Sequence, residues 1–161
     1  MEMYYRKVYI DKLLSYKDRH YIKILTGIRR SGKSTILKQY RKKLIEEFKI
    51  DNEQIIEYDF SNPKFEVLSY MELYDQIIKK AHKKKINYVF LDEIQDIASW
   101  EKCVLGLFEN NDIKFDIYLT GSNSRMLSSE LSTLLTGRTK DIRVMPLSFK
   151  EFNEVTRNED N

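Results

Sequence analysis

The run Gly27-Ile28-Arg29-Arg30-Ser31-Gly32-Lys33-Ser34 sets the tightest limit on how this chain folds. It has the spacing G-x-x-x-x-G-K-[ST] and lies between two stretches of different periodicity. Before it, Tyr21-Ile22-Lys23-Ile24-Leu25-Thr26 is short, β-prone and largely apolar, as a buried strand is. After it, residues Thr35 to Phe48 are apolar at Ile36, Leu37, Tyr40, Leu44 and Phe48, which is helical spacing. Strand, glycine loop and helix in that order present bare backbone amides and a helix start to an anion.

Each residue type in the run has a physical use. Glycine at 27 and 32 lets the backbone turn tightly and bring N–H groups against phosphate oxygens that a Cβ would obstruct. Lys33 can reach the β- and γ-phosphates as a point charge, and the Ser34 hydroxyl can bind Mg²⁺. Arg29, Arg30, Ser31 and Thr35 complete the candidate nucleotide-binding run. Ordinary residue usage produces this pattern by chance in roughly one chain in 170 of this length, before the flanking strand and helix are considered. A nucleotide loop is therefore favoured over an ordinary glycine turn.

The 161 residues suit one domain. A hydrophobic content of 42% and a charged content of 33% describe a soluble globular protein. No apolar run approaches the ~20 residues of a membrane span, so no membrane partner is expected. The N-terminal stretch lacks the apolar core of a secretory signal. The single Cys103 shares an apolar helical face with Val104 and Leu107 and reads as a core residue. These features point to the cytoplasm. A net charge of +3 is too mild to imply nucleic acid. The lysines from Lys79 to Lys85 could form a nucleic-acid patch, but they read better as the basic end of a helix entering solvent.

Along the chain, residues 1–20 form a lead-in with a helical hint at Val8, Ile10, Leu13 and Leu14, residues 21–152 a core, and 153–161 a polar tail. Further strands are expected at 54–60, 86–92, 114–120 and 139–145. Helices are expected from Val67 to Lys83, with Tyr70, Met71, Tyr74, Ile77, Ile78 and Ala81 inward, and from Trp100 to Glu109. Another is expected to carry Met126, Leu127, Leu131, Leu134 and Leu135. Five strands alternating with helices predict an α/β fold with a parallel sheet covered on both faces, binding ligands beyond its carboxyl edge. Trp100 reads as a packing anchor rather than a base-stacking residue.

A second half of the site lies at Tyr88-Val89-Phe90-Leu91-Asp92-Glu93, an apolar strand ending in two acids. Asp92 is the expected Mg²⁺ carboxylate, and Glu93 the general base that holds an attacking water. At Leu119-Thr120-Gly121-Ser122-Asn123-Ser124, Asn123 could orient that water, or this cluster could simply cap a helix. Arg138, after Gly137, could enter a neighbouring subunit's site as an arginine finger or remain a solvated loop residue.

Together these residues resemble an AAA+-type ATPase, and more narrowly the prokaryotic AAA ATPases in which this domain precedes a C-terminal domain of unknown function. The matching pieces are 26–34, Phe90 to Gln95 with Trp100-Glu101, 119–124, Leu135 to Arg138, and Pro146 to Phe152. The resemblance implies a three-layer αβα P-loop fold with strand order 5-1-4-3-2. It also implies Walker A and B roles for Lys33, Ser34, Asp92 and Glu93, a sensor at Asn123, and Arg138 as the finger of a homo-oligomer. It further implies a longer protein, with a helical lid and a C-terminal domain beyond residue 161, and an unknown protein partner. The function so implied is Mg²⁺-dependent ATP hydrolysis driving a switch or motor. A nucleotide-gated or DNA-associated module, or a small-molecule kinase, is the alternative.

Overall fold

Short strands whose side chains alternate between two apolar faces need cover on both sides, and helices supply it. The computed structural model describes residues 4–65, 68–122 and 133–159. Its strands are β1 (Ile22–Thr26), β2 (Ile55–Asp59), β3 (Asn87–Asp92), β4 (Phe115–Gly121) and β5 (Thr139–Arg143). All pair in parallel, in the spatial order β2-β3-β4-β1-β5. This is the expected 5-1-4-3-2 order, read from the other edge. The helices are α1 (Lys7–Ser15), α2 (Lys33–Glu46), α3 (Tyr70–Lys80), α4 (Trp100–Phe108) and α5 (Phe149–Glu159).

The sheet's period of two separates two cores. On one face Ile22, Ile24, Val89, Leu91, Ile117 and Leu119 pack against Leu73 and Ile77 of α3 and Trp100, Val104 and Leu107 of α4. On the other, Leu25, Tyr88, Phe90, Tyr118 and Ile142 meet Ile10 and Leu13 of α1 and Ile36, Leu37, Tyr40 and Leu44 of α2. The lead-in helix thus packs into the same core as α2, the helix after the glycine loop. Trp100 is an anchor, and Cys103 is buried with its thiol pushed up to about 12 by burial. No helix among the described residues is long and apolar enough to cross a membrane.

Several boundaries differ from the periodicity reading. Helix α2 ends at Glu46, because Lys49 takes a left-handed conformation with φ 56°; Phe48 is 44% exposed beside Lys17. Helix α3 begins at Tyr70, since the Ser69 hydroxyl accepts the Glu72 N–H and caps it; Val67, the expected start, lies outside the described residues. Its buried residues are Leu73 and Ile77, whereas Met71, expected inward, is 62% exposed. Strand β5 stops at Arg143, and Met145 is 52% exposed. Residues 153–159, expected as a polar tail, continue helix α5. Leu134 and Leu135 follow the expectation of a helix ending before Gly137, Leu135 being buried. Met126, Leu127 and Leu131 lie outside the described residues.

Nor is β1 simply apolar. Lys23 is 0% exposed, paired with the Asp116 carboxylate, and its Nζ also donates to the Arg19 carbonyl at 2.7 Å. Asp116 accepts from the Tyr118 hydroxyl (2.7 Å) and the Asp18 amide (3.0 Å), and Tyr118 bonds Tyr40 at 2.7 Å. Burial pushes the Lys23 pKa down and the Asp116 pKa up, while each partner opposes that shift.

Two outcomes follow from this packing. Lys23→Met, which strands a buried carboxylate, should lower stability by about 3–5 kcal/mol in denaturant titration, with much of it recovered by adding Asp116→Leu. A wild-type midpoint for the single variant would mean that Asp116 does not depend on Lys23. Cys103 should resist a thiol-specific reagent in the native protein and react only at the rate of unfolding. Rapid stoichiometric labelling under native conditions would contradict its burial.

Candidate functional site

The parallel register decides which loops meet. Thr26 of β1 lies level with Gly121 of β4 and Arg143 of β5, and Asp92 of β3 with Asp59 of β2. The loops leaving β1 and β3 therefore open at the same carboxyl edge, with the end of β4 between them. In an open α/β sheet this edge is where ligands bind.

The glycine loop is shaped by contact as much as by dihedral freedom. A Cβ on Gly27 would sit 2.5 Å from the Val144 carbonyl oxygen, a backbone atom that cannot give way. Gly32 takes φ 95° at the start of α2, a left-handed value that glycine adopts without strain. No side chain caps that helix and no acidic residue occupies its first turn. Its first amides and positive end are thus open to an anion. Lys33 is buried, with its Nζ donating to the Gly27 carbonyl at 2.7 Å and the Ile28 carbonyl at 2.9 Å. Arg29 and Arg30 are exposed at the cleft, Arg30 with φ 66°. Ser31 is buried behind the loop, and Thr35 lies in the first turn of α2.

Ser34 joins the loop to the acids. Its hydroxyl comes close enough to the Asp92 carboxylate to favour its ionised form, and that carboxylate accepts from the Thr120 hydroxyl. Burial raises the Asp92 pKa, and these two hydroxyls pull it back in part. Glu93 turns the chain at φ 57°, and its N–H donates to Thr120 Oγ1 at 2.9 Å. Its carboxylate accepts from the Gln95 side-chain amide. Thr120 therefore touches both acids at once, and sequence reasoning, which looked to Asn123 in the same cluster, missed it. The signal was present: Asp116, Tyr118 and Thr120 alternate along β4, so a threonine on the α2 face ends beside β3.

A cleft of about 890 Å³ separates these pieces. Arg29, Arg30 and Ser34 form one wall and Glu93, Gln95 and Asp96 another, while Phe60 and Phe65 close the end toward β2. The oxygens fit Mg²⁺: a hydroxyl and a half-buried carboxylate side by side form the kind of small, hard donor set that ion uses when phosphates and water complete its shell.

Asn123 lies outside the described residues, and Ser122 lines the cleft. Arg138 is not in this cleft. It precedes β5, where its carbonyl accepts from the amide of Ile22, the first residue of β1, so it sits at the opposite end of the sheet. Its guanidinium donates to the Leu134 carbonyl at 2.7 Å and lies 3.6 Å from Glu109.

The profile of a family described as "AAA domain" matches residues 19–153. Over 150 residues the chain is 39% identical to an uncharacterised protein of Haemophilus influenzae, covering 91% of this chain and 36% of that one. It is 37% identical over 131 residues to an uncharacterised protein of Methanocaldococcus jannaschii, covering 81% of this chain and 28% of that one. The chain thus spans about a third of the length of these curated relatives. Among solved structures, a DNA polymerase III γ-subunit-related protein of Thermotoga maritima superposes with TM-score 0.64 at 16% identity, over 92% of this chain and 49% of that one. A Walker-type ATPase of Pyrococcus abyssi superposes with TM-score 0.60 at 19% identity, over 97% of this chain and 57% of that one. The profile match, covering most of the sequence, and a sheet ordered as in P-loop ATPases lead to one conclusion: this chain belongs to the AAA domain family.

Proposed function

We propose that this chain binds ATP with Mg²⁺ and hydrolyses it to ADP and phosphate, using the cycle as a conformational switch or motor. The observation that carries the reading is the contact between Ser34, at an uncapped helix start, and Asp92, beside Glu93 at the end of a neighbouring strand. Phosphate binding alone does not call for that acidic pair, whereas splitting a phosphoanhydride with water does.

In this reading Lys33 exchanges the Gly27 and Ile28 carbonyls for β- and γ-phosphate oxygens. The amides from Gly27 to Thr35 surround the phosphates, with Arg29 and Arg30 at the rim. Ser34 and Asp92 would hold the magnesium ion, which when bound neutralises charge between the β- and γ-phosphates. Glu93 orients the attacking water and accepts its proton. Thr120 keeps Glu93 in place by accepting its N–H while donating to Asp92. Asn123 is the proposed partner of the water on the β4 side. Arg138 points to work in trans, since it lies at the far end of its own sheet, which makes a homo-oligomer the proposed active form.

Lys33→Ala should weaken Mg·ATP binding about 10- to 100-fold, the worth of a hydrogen-bonded charge; unchanged affinity by calorimetry would remove the phosphate-loop assignment. Glu93→Gln should bind ATP as wild type but release no phosphate in a single-turnover assay, and EDTA should stop turnover of the native chain. Unchanged single-turnover hydrolysis would take Glu93 out of the mechanism. Thr120→Val keeps the shape and removes both hydroxyl bonds. It should retain nucleotide affinity and lose about 10- to 100-fold in hydrolysis through misplacement of Glu93. Wild-type turnover there would leave Thr120 with packing alone.

A further inference from the structure

A buried arginine from the lead-in segment grips the phosphate loop from behind. Arg6 is 5% exposed, although it precedes α1 and is remote from the loop in sequence. Its Nη1 donates to the Ser31 carbonyl at 2.7 Å, and its Nη2 to the Met145 carbonyl at 2.8 Å. Its Nε lies 3.5 Å from Glu151 in α5, and its guanidinium carbon is 4.6 Å from the centre of the Tyr9 ring. One planar cation thus touches the glycine loop, the segment leaving β5 and the last helix. Its surroundings are tied to the same elements: the Met145 N–H donates to the Tyr9 hydroxyl at 3.0 Å, and Gln39 of α2 donates to the Tyr4 carbonyl at 2.9 Å.

The contact with Ser31 has a directional consequence. The Ser31 carbonyl and the Gly32 N–H belong to one planar trans peptide, so they point in opposite directions. Holding the carbonyl toward Arg6 turns the Gly32 N–H away from Arg6, which does not line the cleft. Gly32 also has no Cβ to resist this orientation, and Nη1 lies 3.4 Å from where one would be. Without the guanidinium, the peptide is freer to rotate and its carbonyl could turn toward the bound anion, where it would repel.

We propose that Arg6 is a positioning residue for nucleotide binding: it fixes the Ser31–Gly32 peptide with its amide presented to the phosphates, and braces that peptide against Met145 and Glu151. The proposal rests on the reading that the loop takes nucleotide phosphates. It predicts that the two terminal segments contribute to affinity without touching the ligand. A lysine at position 6 supplies one ammonium in place of a two-pronged fork and cannot bridge both carbonyls as arginine does.

The test is calorimetric titration of the chain with Mg·ADP, using Arg6→Met and Arg6→Lys. Arg6→Met should weaken binding by about tenfold or more and Arg6→Lys by less, scaled to the folded fraction. Backbone ¹⁵N relaxation at Gly32 in the nucleotide-free protein should show a more mobile peptide in both. A purely structural arginine would lower the unfolding midpoint but leave the affinity of the folded fraction and the Gly32 relaxation as in wild type, which would overturn the proposal. If Arg6→Met does not fold, Arg6→Lys alone decides between these results. Lys33→Ala in the same titration separates the two levels of inference. Wild-type affinity there removes the phosphate reading itself. Lost affinity there, with wild-type affinity in both Arg6 variants, removes only the role of Arg6.

Discussion

The hydrogen-bonded seam between β1 and β4 holds the rest of the molecule in register. Because β1 lies between β4 and β5, its carboxyl end is fixed from both sides, and Thr26 cannot slip relative to Gly121 or Arg143. The Val144 N–H donates to the Thr26 carbonyl at 2.7 Å and extends this grip to the first residue before the loop. The close approach of the Val144 carbonyl to Gly27 comes from the same pairing. A slip of one residue would turn the buried side chains to the opposite face and carry the loop away from Thr120 and Asp92.

The α2-facing side of β4 is polar along its length. Asp116, Tyr118 and Thr120 follow one another on that face, each engaged by a neighbour. At the amino end the Lys23–Asp116 pair closes a network with Tyr118 and Tyr40, while Tyr88 bonds Asp18 beside it; at the carboxyl end Thr120 joins Asp92, the last residue of β3, to Glu93 just after it. Burying these groups costs desolvation energy that only mutual hydrogen bonding offsets. Such a network has few alternative arrangements, so the strand that carries Thr120 is held in one position relative to β3 and β1.

The terminal segments belong to this architecture. Helix α1 buries Ile10 and Leu13 against α2, and Arg6 ahead of it reaches the loop. Helix α5 supplies Glu151, whose carboxylate accepts from the Ser148 N–H at 2.6 Å and faces Arg6. Segments before and after the glycine motif thus meet behind it, where Arg6 bonds the Ser31 and Met145 carbonyls and faces Glu151.

The glycine loop, the parallel sheet, the acidic strand end and the covering helices were legible in the sequence, because each is written in local spacing: glycine, lysine and serine at fixed offsets, and apolar residues at periods of two or near four. Local chemistry also explains the boundaries that were misread, since Ser69 and Glu72 have the spacing of a helix cap and a left-handed Lys49 ends α2 before Phe48. What spacing could not convey is which distant residues share a contact. Lys23 and Asp116, Arg6 and Ser31, and Asp92, Thr120 and Ser34 meet only after β1, β3 and β4 align and the termini fold back. A charged side chain looks the same in sequence whether it faces water or a buried partner. The chain's local pattern determined that a glycine loop stands before a helix and that an acid pair follows a strand. Tertiary pairing alone decided which residues brace that loop and position Glu93, because those bonds depend on register and chain direction rather than on neighbours in sequence.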